Sequence, residues 1–301
     1  MDIKKSIKDG TFWVSIYHHL NKRYLTVSES DNLIGLYIRL ICYEKVHKKY
    51  SYVLENHQPS KPGDKHFSNK IFTCWIQGEE NEPPLVQKCI SSIKERFPER
   101  EVIVITKDNI SDYIEIPEWF MDKWQKGIID STKLSNLIRL ELLIKYGGTW
   151  MDSTLYCSSS DVPDYIFDTP LFMYSETGLG EIRCGATWLM SAESNNNILR
   201  AARDVYLEYW KHEKNLIEYF VVTFCLKMAI EKYPEEWSKM FVAPAMTEIT
   251  LANYFFEKYD AGIWKNIKEL TCFHKLSNKD VETKSDFSGT FCEAFFNGEL
   301  D

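Results

Sequence analysis

The sequence predicts an α/β domain with a mostly parallel sheet flanked by helices, preceded by a helical extension. From residue 70 onward, short β-rich runs alternate with helical stretches, and this βαβ succession is typical of a parallel sheet. Before that point the chain holds one long helical pattern and a turn-rich segment that contains two prolines. We therefore expect an N-terminal helical extension at 1–66 and the α/β domain at 67–301.

Within the domain, each predicted strand is a short run rich in β-branched, aromatic and other apolar residues. The runs lie at 71–76, 101–106, 149–151, 171–174 and 187–190. The predicted helices show apolar residues at the helical spacing or a start or stop signal, such as Pro83-Pro84 or Gly147-Gly148. They begin near 83, 118, 131, 195 and 215. The residues after 276 are polar, and we expect them to be loosely held.

The helix of the extension, predicted at about 32–54, combines an apolar stripe with basic residues. The stripe consists of Leu33, Leu36, Tyr37, Leu40 and Ile41. The basic residues are Arg39, Lys45, Lys48 and Lys49. Two interpretations stay open at this point. The helix lies on an anionic membrane surface, or it packs on the α/β domain and buries its stripe there.

The composition argues against several classes of protein. The 301 residues carry 44 acidic and 36 basic side chains, a formal net charge of −8, so we expect no nucleic-acid partner. No apolar run is long enough to span a bilayer, and the charged first ten residues do not resemble a secretory signal. The eight cysteines form no CxxC pair, so we expect buried, reduced thiols in a cytoplasmic protein whose only membrane contact would be peripheral.

The strongest functional signal is a helix, a Gly-Gly turn, a short strand and an acid in succession. Asn136 and Arg139 lie three residues apart on the helix and so share a face, and Asp152 follows the strand. Ligands of open α/β sheets bind beyond the carboxyl ends of the strands. A carboxylate there suits a divalent cation on a phosphate, and a guanidinium suits a phosphate oxygen. A turn acid and a solvated arginine are the structural alternative.

This unit resembles a motif of the capsular polysaccharide synthesis protein family, relatives of glycosyltransferase family 32 with a GT-A fold. The family motif is similar to SDxxRxxxLxxxGGxWxDxT. The matching positions here are Ser135, Asn136, Arg139, Leu142 or Leu143, Gly147, Gly148, Trp150, Asp152 and Thr154. A second stretch, from Trp75 to Pro84, is similar to the family's WxQGxExxPP. The resemblance covers about 70–280.

The resemblance implies a GT-A-like fold and a hexosyltransferase. The donor would be a nucleoside diphosphate sugar, most simply UDP-linked, and the acceptor an oligosaccharide or lipid-linked glycan of a growing capsular or exopolysaccharide. The family also implies metal assistance by Mn²⁺ or Mg²⁺ and retention of the anomeric configuration. Two alternatives stay open: a non-catalytic protein that binds nucleotide sugar or glycan in a polysaccharide assembly complex, and a phosphotransferase.

Residue roles follow from the same resemblance. Candidate donor-binding residues are Trp75, Gln77, Gly78, Asn136, Arg139, Gly148 and Lys275. Candidate metal ligands are Asp152, Thr154 and His274, and candidate catalytic residues are Asp152, Arg139 and Glu218. Two positions depart from the family pattern, because Asn136 and Thr154 stand where relatives often have aspartate. Fewer carboxylates should lower the affinity for a hard cation.

Glu218 is a candidate on its own sequence context. It lies in the largely apolar helix predicted from 215, on the same face as Val221, Val222, Cys225 and Ala229, and a carboxylate on such a stripe is costly to bury without a partner. We therefore consider that it faces the pocket and meets the acceptor or the transferred sugar. The alternative is an ordinary acid in the first helical turn, where the helix dipole favours negative charge.

Overall fold

The structure is a computed structural model, and it describes residues 28–175, 185–284 and 286–301. The helices are α1 Ser28–Tyr50, α2 Tyr52–Glu55, α3 Pro84–Arg96, α4 Ile110–Tyr113, α5 Glu118–Gln125, α6 Ser131–Tyr146, α7 Asn197–His212, α8 Val221–Lys232, α9 Pro234–Trp237, α10 Thr250–Tyr254, α11 Ala261–Leu270, α12 Asn278–Glu282 and α13 Phe291–Asn297. The strands are β1 Lys70–Cys74, β2 Glu101–Ile105, β3 Gly148–Met151, β4 Leu155–Cys157, β5 Leu171–Tyr174, β6 Ala186–Ala192 and β7 Phe273–Lys275.

The main sheet has the strand order β2-β1-β3-β6-β5. β1 pairs in parallel with both β2 and β3, while β6 runs antiparallel to β3 and to β5. Every strand except β6 therefore points the same way, which confirms the predicted α/β fold with a mostly parallel sheet flanked by helices. The helices α3 and α4–α6 supply the crossovers that parallel neighbours require.

A two-stranded antiparallel sheet brings a distant part of the chain beside β3. β4 pairs with β7 so that Leu155 lies opposite Lys275 and Tyr156 opposite His274. Because β4 begins three residues after Asp152, this pairing places β7 next to the end of β3. The sheet thus joins two segments that are more than a hundred residues apart in sequence.

The Gly-Gly turn after α6 is required by close backbone contacts. Gly147 and Gly148 both have positive φ, at 67° and 92°. A Cβ on Gly148 would lie 2.5 Å from the carbonyl oxygen of Lys70 in β1, and one on Gly147 would lie 2.8 Å from the backbone nitrogen of Ser194. Glycine is the residue that allows both this conformation and this approach, so the turn lets β3 enter the sheet directly beside β1.

The start of α6 is fixed by a side-chain cap. The carboxylate of Asp130 accepts a hydrogen bond from the backbone N–H of Lys133 and pairs with its ammonium at 2.7 Å. Such a cap satisfies one of the unpaired N–H groups of the first turn. The helix is buried along most of its length, so packing fixes its position relative to the sheet.

The helix α1 packs on α7 and α8 through a face that the sequence pattern did not identify. Cys42, Tyr43, Val46 and Tyr50 are buried in the main core. By contrast, Tyr37 and Leu40 of the predicted stripe are 52% and 39% exposed. The packing interpretation is thus supported for the second half of α1, while the assignment of these two residues to the buried stripe was wrong. No helix among the described residues is long and apolar enough to cross a membrane.

Two further sequence expectations need correction. Within the stretch after 276, residues 291–300 are not loosely held, because Phe291, Phe295 and Leu300 are fully buried against α3 and α10. The expectation was based on the average polarity of this stretch and overlooked two phenylalanines that lie four residues apart on α13. The helix predicted from 215 begins at Val221 instead. The cysteines of the described ranges are buried and none forms a disulfide, and Cys184 lies outside those ranges.

Candidate functional site

An open cleft of about 430 Å³ lies at the carboxyl ends of β1 and β3. Its walls come from the turn after β1, one face of α6, the end of β3 and the segment from β7 into α12. The lining residues are Cys74, Trp75, Ile76, Gln77, Ser131, Thr132, Ser135, Arg139, Trp150, Asp152, Ser153, Thr154, Tyr219, Lys275, Leu276, Ser277, Asn278, Lys279 and Glu282. This is the edge at which α/β sheets bind ligands.

Arg139 and Asp152 form the centre of the cleft. The Arg139 side chain is 5% exposed, and its Nη2 donates to Asp152 Oδ1 at 3.1 Å. Its Nη1 donates to the carbonyl oxygen of Thr187 on β6. The guanidinium also lies 4.9 Å from the centroid of the Trp150 ring. Arg139 is therefore fixed by three neighbours, and it positions the carboxylate of Asp152 at the cleft wall.

Asp152 itself is held from several sides. Its Oδ1 accepts a second hydrogen bond from Trp150 Nε1 at 2.8 Å, and its backbone N–H donates to the carbonyl oxygen of Trp188 at 2.8 Å. With Oδ1 occupied by two donors, Oδ2 is the oxygen that remains for a ligand. The side chain is 26% exposed, so this oxygen can be reached from the cleft.

Lys275 reaches the same carboxylate from the opposite wall. Its ammonium Nζ lies 3.8 Å from Asp152 Oδ2 and donates to Thr154 Oγ1 at 2.5 Å. It also donates to the carbonyl oxygen of Leu276 at 3.1 Å. The backbone N–H of Lys275 donates to the carbonyl oxygen of Glu248 at 2.8 Å. The structure thus brings Asp152, Thr154 and Lys275 together, as the sequence predicted.

The cleft is more positive than the protein that contains it. Among its described lining residues the cations are Arg139, Lys275 and Lys279, whereas the carboxylates are Asp152 and Glu282. The chain as a whole carries a formal net charge of −8. A local excess of positive charge on an acidic protein favours an anionic ligand at this place.

The turn after β1 supplies an aromatic and an amide group to the cleft. Trp75 is half-buried, packs on a small apolar cluster, and its Nε1 donates to the carbonyl oxygen of Asn81 at 3.1 Å. Gln77 is exposed at the cleft wall. Gly78 does not line the cleft. It has a φ of 102°, and its backbone N–H donates to the carbonyl oxygen of Trp75 to close the turn. The structure thus brings Trp75 and Gln77 to the cleft and leaves Gly78 outside its lining, and donor binding by these residues stays a prediction.

The face of α6 that reaches the cleft contains Ser131, Ser135 and Arg139, which are four residues apart in succession. Asn136 is instead 6% exposed and lies beside the buried Tyr206, away from the cleft lining. The prediction that Asn136 and Arg139 present one face to the ligand is therefore wrong, and Ser135 takes that place. A hydroxyl at four-residue spacing before Arg139 was the sequence signal that could have shown this.

His274 lies behind the cleft. It is fully buried, packs between Tyr156 and Trp264 with ring centroids 5.9 Å and 5.4 Å away, and its Nε2 is 2.9 Å from Ser158 Oγ. Burial lowers the pKa of its imidazole to about 3, so the ring is neutral at physiological pH. Adjacent residues of a strand point to opposite faces, and so His274 points away while Lys275 faces the cleft.

Glu218 is held by a different partner. Its Oε1 accepts from Arg39 Nε at 3.4 Å, and its Oε2 accepts from the backbone N–H of Phe220. It lies before α8, and the neighbouring Tyr219 lines the cleft instead. The structure thus does not bring Glu218 to the cleft, because its carboxylate is used to join α1 to this turn.

Gly148 is also explained by packing. A Cβ there would collide with the Lys70 carbonyl at 2.5 Å, and Gly148 is not among the described residues that line the cleft. Its predicted role in donor binding is replaced by a role in joining β3 to β1.

The residues present do not fit a divalent metal ion in their described arrangement. Of the predicted ligands, Asp152 and Thr154 face the cleft, but the ammonium of Lys275 already contacts Thr154 Oγ1 and lies close to Asp152 Oδ2. Among the described residues there is no group of three or more His, Cys, Asp or Glu side chains that could hold a metal. A hard cation prefers several anionic oxygens. Metal binding stays a prediction, and this geometry does not favour it.

A second cavity of about 400 Å³ is lined by Glu248, whose backbone carbonyl accepts the hydrogen bond from the Lys275 N–H. The Glu248 side chain is 3% exposed, and burial raises the pKa of its carboxyl group. Tyr165 and Tyr174 form part of its wall. The sequence did not single out Glu248 or Lys279, since nothing in their local pattern distinguishes them from surface residues.

The fold and the cleft define an α/β protein with a positively charged cleft at the carboxyl edge of its sheet. The chain belongs to the capsular polysaccharide synthesis protein family, whose model matches residues 22–295. The resemblance noted from the sequence motifs is therefore confirmed.

Two curated fungal proteins are similar in sequence to part of the chain. The O-glycosyltransferase braB of Annulohypoxylon truncatum is 25% identical over 162 residues, which cover 48% of this chain and 38% of that protein. The O-glycosyltransferase PaGT of Phomopsis amygdali is 28% identical over 168 residues, covering 50% and 40%. The matched part thus spans less than half the length of either relative. Among solved structures, the PaToxG glycosyltransferase superposes with a TM-score of 0.39 at 16% identity, covering 69% of this chain and 85% of that one.

Proposed function

We propose that this protein is a glycosyltransferase that moves a hexose from a nucleoside diphosphate sugar, most simply a UDP-sugar, to a glycan acceptor. The observation that carries the proposal is the cleft itself, in which Arg139, Asp152 and Lys275 meet at the carboxyl edge of a parallel sheet. Family membership and the two fungal relatives named as O-glycosyltransferases support the same reaction class.

The walls of the cleft suggest how the donor lies. Trp75 and Gln77 offer a ring and an amide to the nucleoside, at the end of β1. Lys275 and Lys279 offer positive charge to the diphosphate, and Asp152 Oδ2 offers an acceptor to a sugar hydroxyl. Each of these contacts uses a group that the structure places on the cleft wall.

In the proposed reaction the bond between the anomeric carbon and the diphosphate oxygen breaks, and its electron pair stays on that oxygen. The acceptor hydroxyl oxygen forms the new bond to the anomeric carbon, and its proton passes to the departing diphosphate. The lysine cations next to this oxygen stabilise the charge that develops on it. Retention of configuration, which the family resemblance implies, would need no dedicated general base.

The acceptor we propose is a capsular or exopolysaccharide glycan, free or linked to lipid. Tyr37 and Leu40 of α1 and Tyr219 at the cleft are exposed, and the Arg39–Glu218 pair joins α1 to the turn that holds Tyr219. This apolar surface beside the cleft supports peripheral contact with an anionic membrane.

Flotation with anionic vesicles tests this membrane contact: wild type should float and a Tyr37→Ser, Leu40→Ser variant should float less. Wild type that remains in the bottom fraction at low salt would contradict membrane contact.

The reaction itself is tested with a panel of nucleoside diphosphate sugars. We expect slow hydrolysis of at least one donor, detected as released nucleoside diphosphate, and faster release when a suitable glycan is added. Nucleotide binding without release from any donor would favour the non-catalytic alternative. Transfer of a phosphate-bearing group, seen as nucleoside monophosphate and a sugar phosphate linkage, would favour the phosphotransferase alternative.

A further inference from the structure

We infer that the ammonium of Lys275 occupies the place of a divalent cation in this cleft, so that nucleoside diphosphate binding requires no metal ion. The inference rests on the proposed function and specifies how the donor's diphosphate is held. It differs from the metal-assisted mechanism expected from the sequence, and it depends on contacts among three described side chains.

The first step concerns the oxygens available to a metal. Asp152 Oδ1 accepts hydrogen bonds from Arg139 at 3.1 Å and from Trp150 at 2.8 Å. Thr154 Oγ1 accepts from Lys275 at 2.5 Å, and Asp152 Oδ2 lies 3.8 Å from the same ammonium. The two predicted ligands on the cleft wall thus share one partner, and that partner already carries positive charge.

The second step concerns charge. A divalent ion bound by Asp152 Oδ2 and Thr154 Oγ1 would have to lie within a few ångströms of the Lys275 ammonium and near the Arg139 guanidinium. Like charges at such distances repel strongly in a site of reduced dielectric. Only one carboxylate would offset this repulsion, whereas a hard cation without substrate phosphate usually has several anionic ligands. The arrangement is therefore complementary to an anion rather than to a cation.

The third step concerns how firmly Lys275 is placed. It belongs to β7, its backbone N–H donates to the Glu248 carbonyl, and it lies opposite Leu155 in the β4–β7 pairing. Its side chain is 24% exposed, with three polar contacts: Thr154, Leu276 and Asp152. A fixed ammonium costs less ordering entropy on binding than a flexible surface lysine does. Lys279 adds a second, exposed cation farther along the same wall.

The chemical consequence is that lysine supplies the charge stabilisation of the leaving group. As the bond from the sugar to the diphosphate breaks, the additional negative charge on the phosphate oxygen faces Lys275. Lys275 would thus contact the substrate directly, whereas Arg139 acts through Asp152 as a positioning residue.

Calorimetric titration of the full chain with UDP, once in EDTA and once in MnCl₂, tests this inference. Wild type should bind UDP in both buffers with affinities within about threefold of each other. Lys275→Met should weaken binding in EDTA by at least about tenfold, and Mn²⁺ should restore part of the loss, because Asp152 Oδ2 and Thr154 Oγ1 are then open. Lys275→Arg should retain most of the binding in EDTA. Lys265→Met, an exposed lysine on α11, is the matched control and should bind as wild type does.

The outcomes separate the two proposals. Wild type that binds UDP only with Mn²⁺, or Lys275→Met that binds in EDTA as well as wild type does, would overturn the inference and leave the glycosyltransferase proposal standing. Wild type that binds UDP in neither buffer would overturn the UDP donor site and the inference with it. Circular dichroism of each variant shows whether the fold is kept, and the Arg variant keeps the test decisive if Lys275→Met does not fold.

Discussion

The two walls of the cleft differ in how they are built and in the charge they carry. The motif wall, residues 131–154, is continuous in sequence and runs through α6 and β3. The late wall, residues 275–282, comes from the end of β7 and from α12. On the motif wall Arg139 and Asp152 pair with each other, whereas on the late wall Lys275 and Lys279 outnumber Glu282.

The two walls therefore differ in role: the motif wall fixes the position of a side chain, and the late wall supplies positive charge. The motif wall is buried and cross-linked, so it can hold one carboxylate oxygen in a fixed position. The late wall is more exposed and brings the net positive charge that an anionic donor needs. Since the first wall is nearly neutral by itself, we expect changes to its Arg139–Asp152 pair to affect mainly turnover and stability, and changes to the lysines of the late wall to affect mainly nucleotide affinity.

The largest expected effect comes from Asp152→Asn on the motif wall. The amide keeps the shape but loses the charge that holds Arg139 and faces Lys275. We expect release of nucleoside diphosphate from donor to fall by about 100-fold or more, the usual scale for losing one preorganised electrostatic group. Asp112→Asn, an exposed carboxylate on α4, is the control, and circular dichroism checks the fold. Retention of more than about a tenth of the activity would contradict a central role for Asp152.

Arg139→Ala should affect both folding and binding, because this buried guanidinium joins Thr187, Trp150 and Asp152. We expect the free energy of unfolding to fall by about 1.5–3 kcal/mol, the range for hydrogen bonds to charged groups. UDP affinity should fall as well. Chemical denaturation and calorimetry measure the two effects. An unchanged free energy of unfolding together with lost UDP binding would show instead that Arg139 acts on the ligand and does not stabilise the fold.

Acid sensitivity should come from behind the late wall, at His274. Because burial lowers its folded pKa from 6.5 to about 3, the unfolded chain takes up a proton first as pH falls below 6.5. The stability associated with the neutral ring is complete above that value and is lost progressively below it, by about 2 kcal/mol between pH 7 and pH 5. Denaturant unfolding at both pH values should show a smaller difference for His274→Gln than for wild type. Equal pH dependence in both proteins would contradict the buried neutral ring.

The smallest expected effect comes from two adjacent residues of the motif wall, Ser135 and Asn136. Ser135→Ala should weaken UDP binding by about 0.5–1.5 kcal/mol, the worth of one ordinary hydrogen bond, with little loss of stability. Asn136→Ala should do the reverse, since Asn136 is buried beside Tyr206. Calorimetry and thermal unfolding of the two neighbours distinguish them. Weaker binding in the Asn136 variant alone would restore the predicted donor role of Asn136.

The continuous part of the site could be predicted from sequence because its chemistry is local. The helix at Ser131–Tyr146, the Gly-Gly stop and the acid after β3 each leave a pattern within one segment. The assignment of Asn136 failed because a helix face is wide enough to include both a buried and an exposed neighbour. Local spacing does not reveal which of the two adjacent polar residues points into the core.

The discontinuous part depended on tertiary structure. Lys275 reaches Thr154 only because β4 and β7 pair, and His274 turns away because the strand alternates. Glu218 was assigned to a helix face, but α8 begins after it and Arg39 from α1 pairs with it. Such long-range partners leave no signal in a local pattern. For that reason the metal ligands Asp152 and Thr154 were predicted without the contact that both make with Lys275.

The central claim is that three distant segments meet around one nucleotide. Hydrogen–deuterium exchange of the full chain with and without UDP measures this directly, because amides near a bound ligand exchange more slowly. We expect protection at 75–77, 131–139 and 275–279 together, the segments that line the cleft. Protection confined to 243–248 and 268–272, around the second cavity, or no protection at all, would contradict the assignment of the donor site to this cleft.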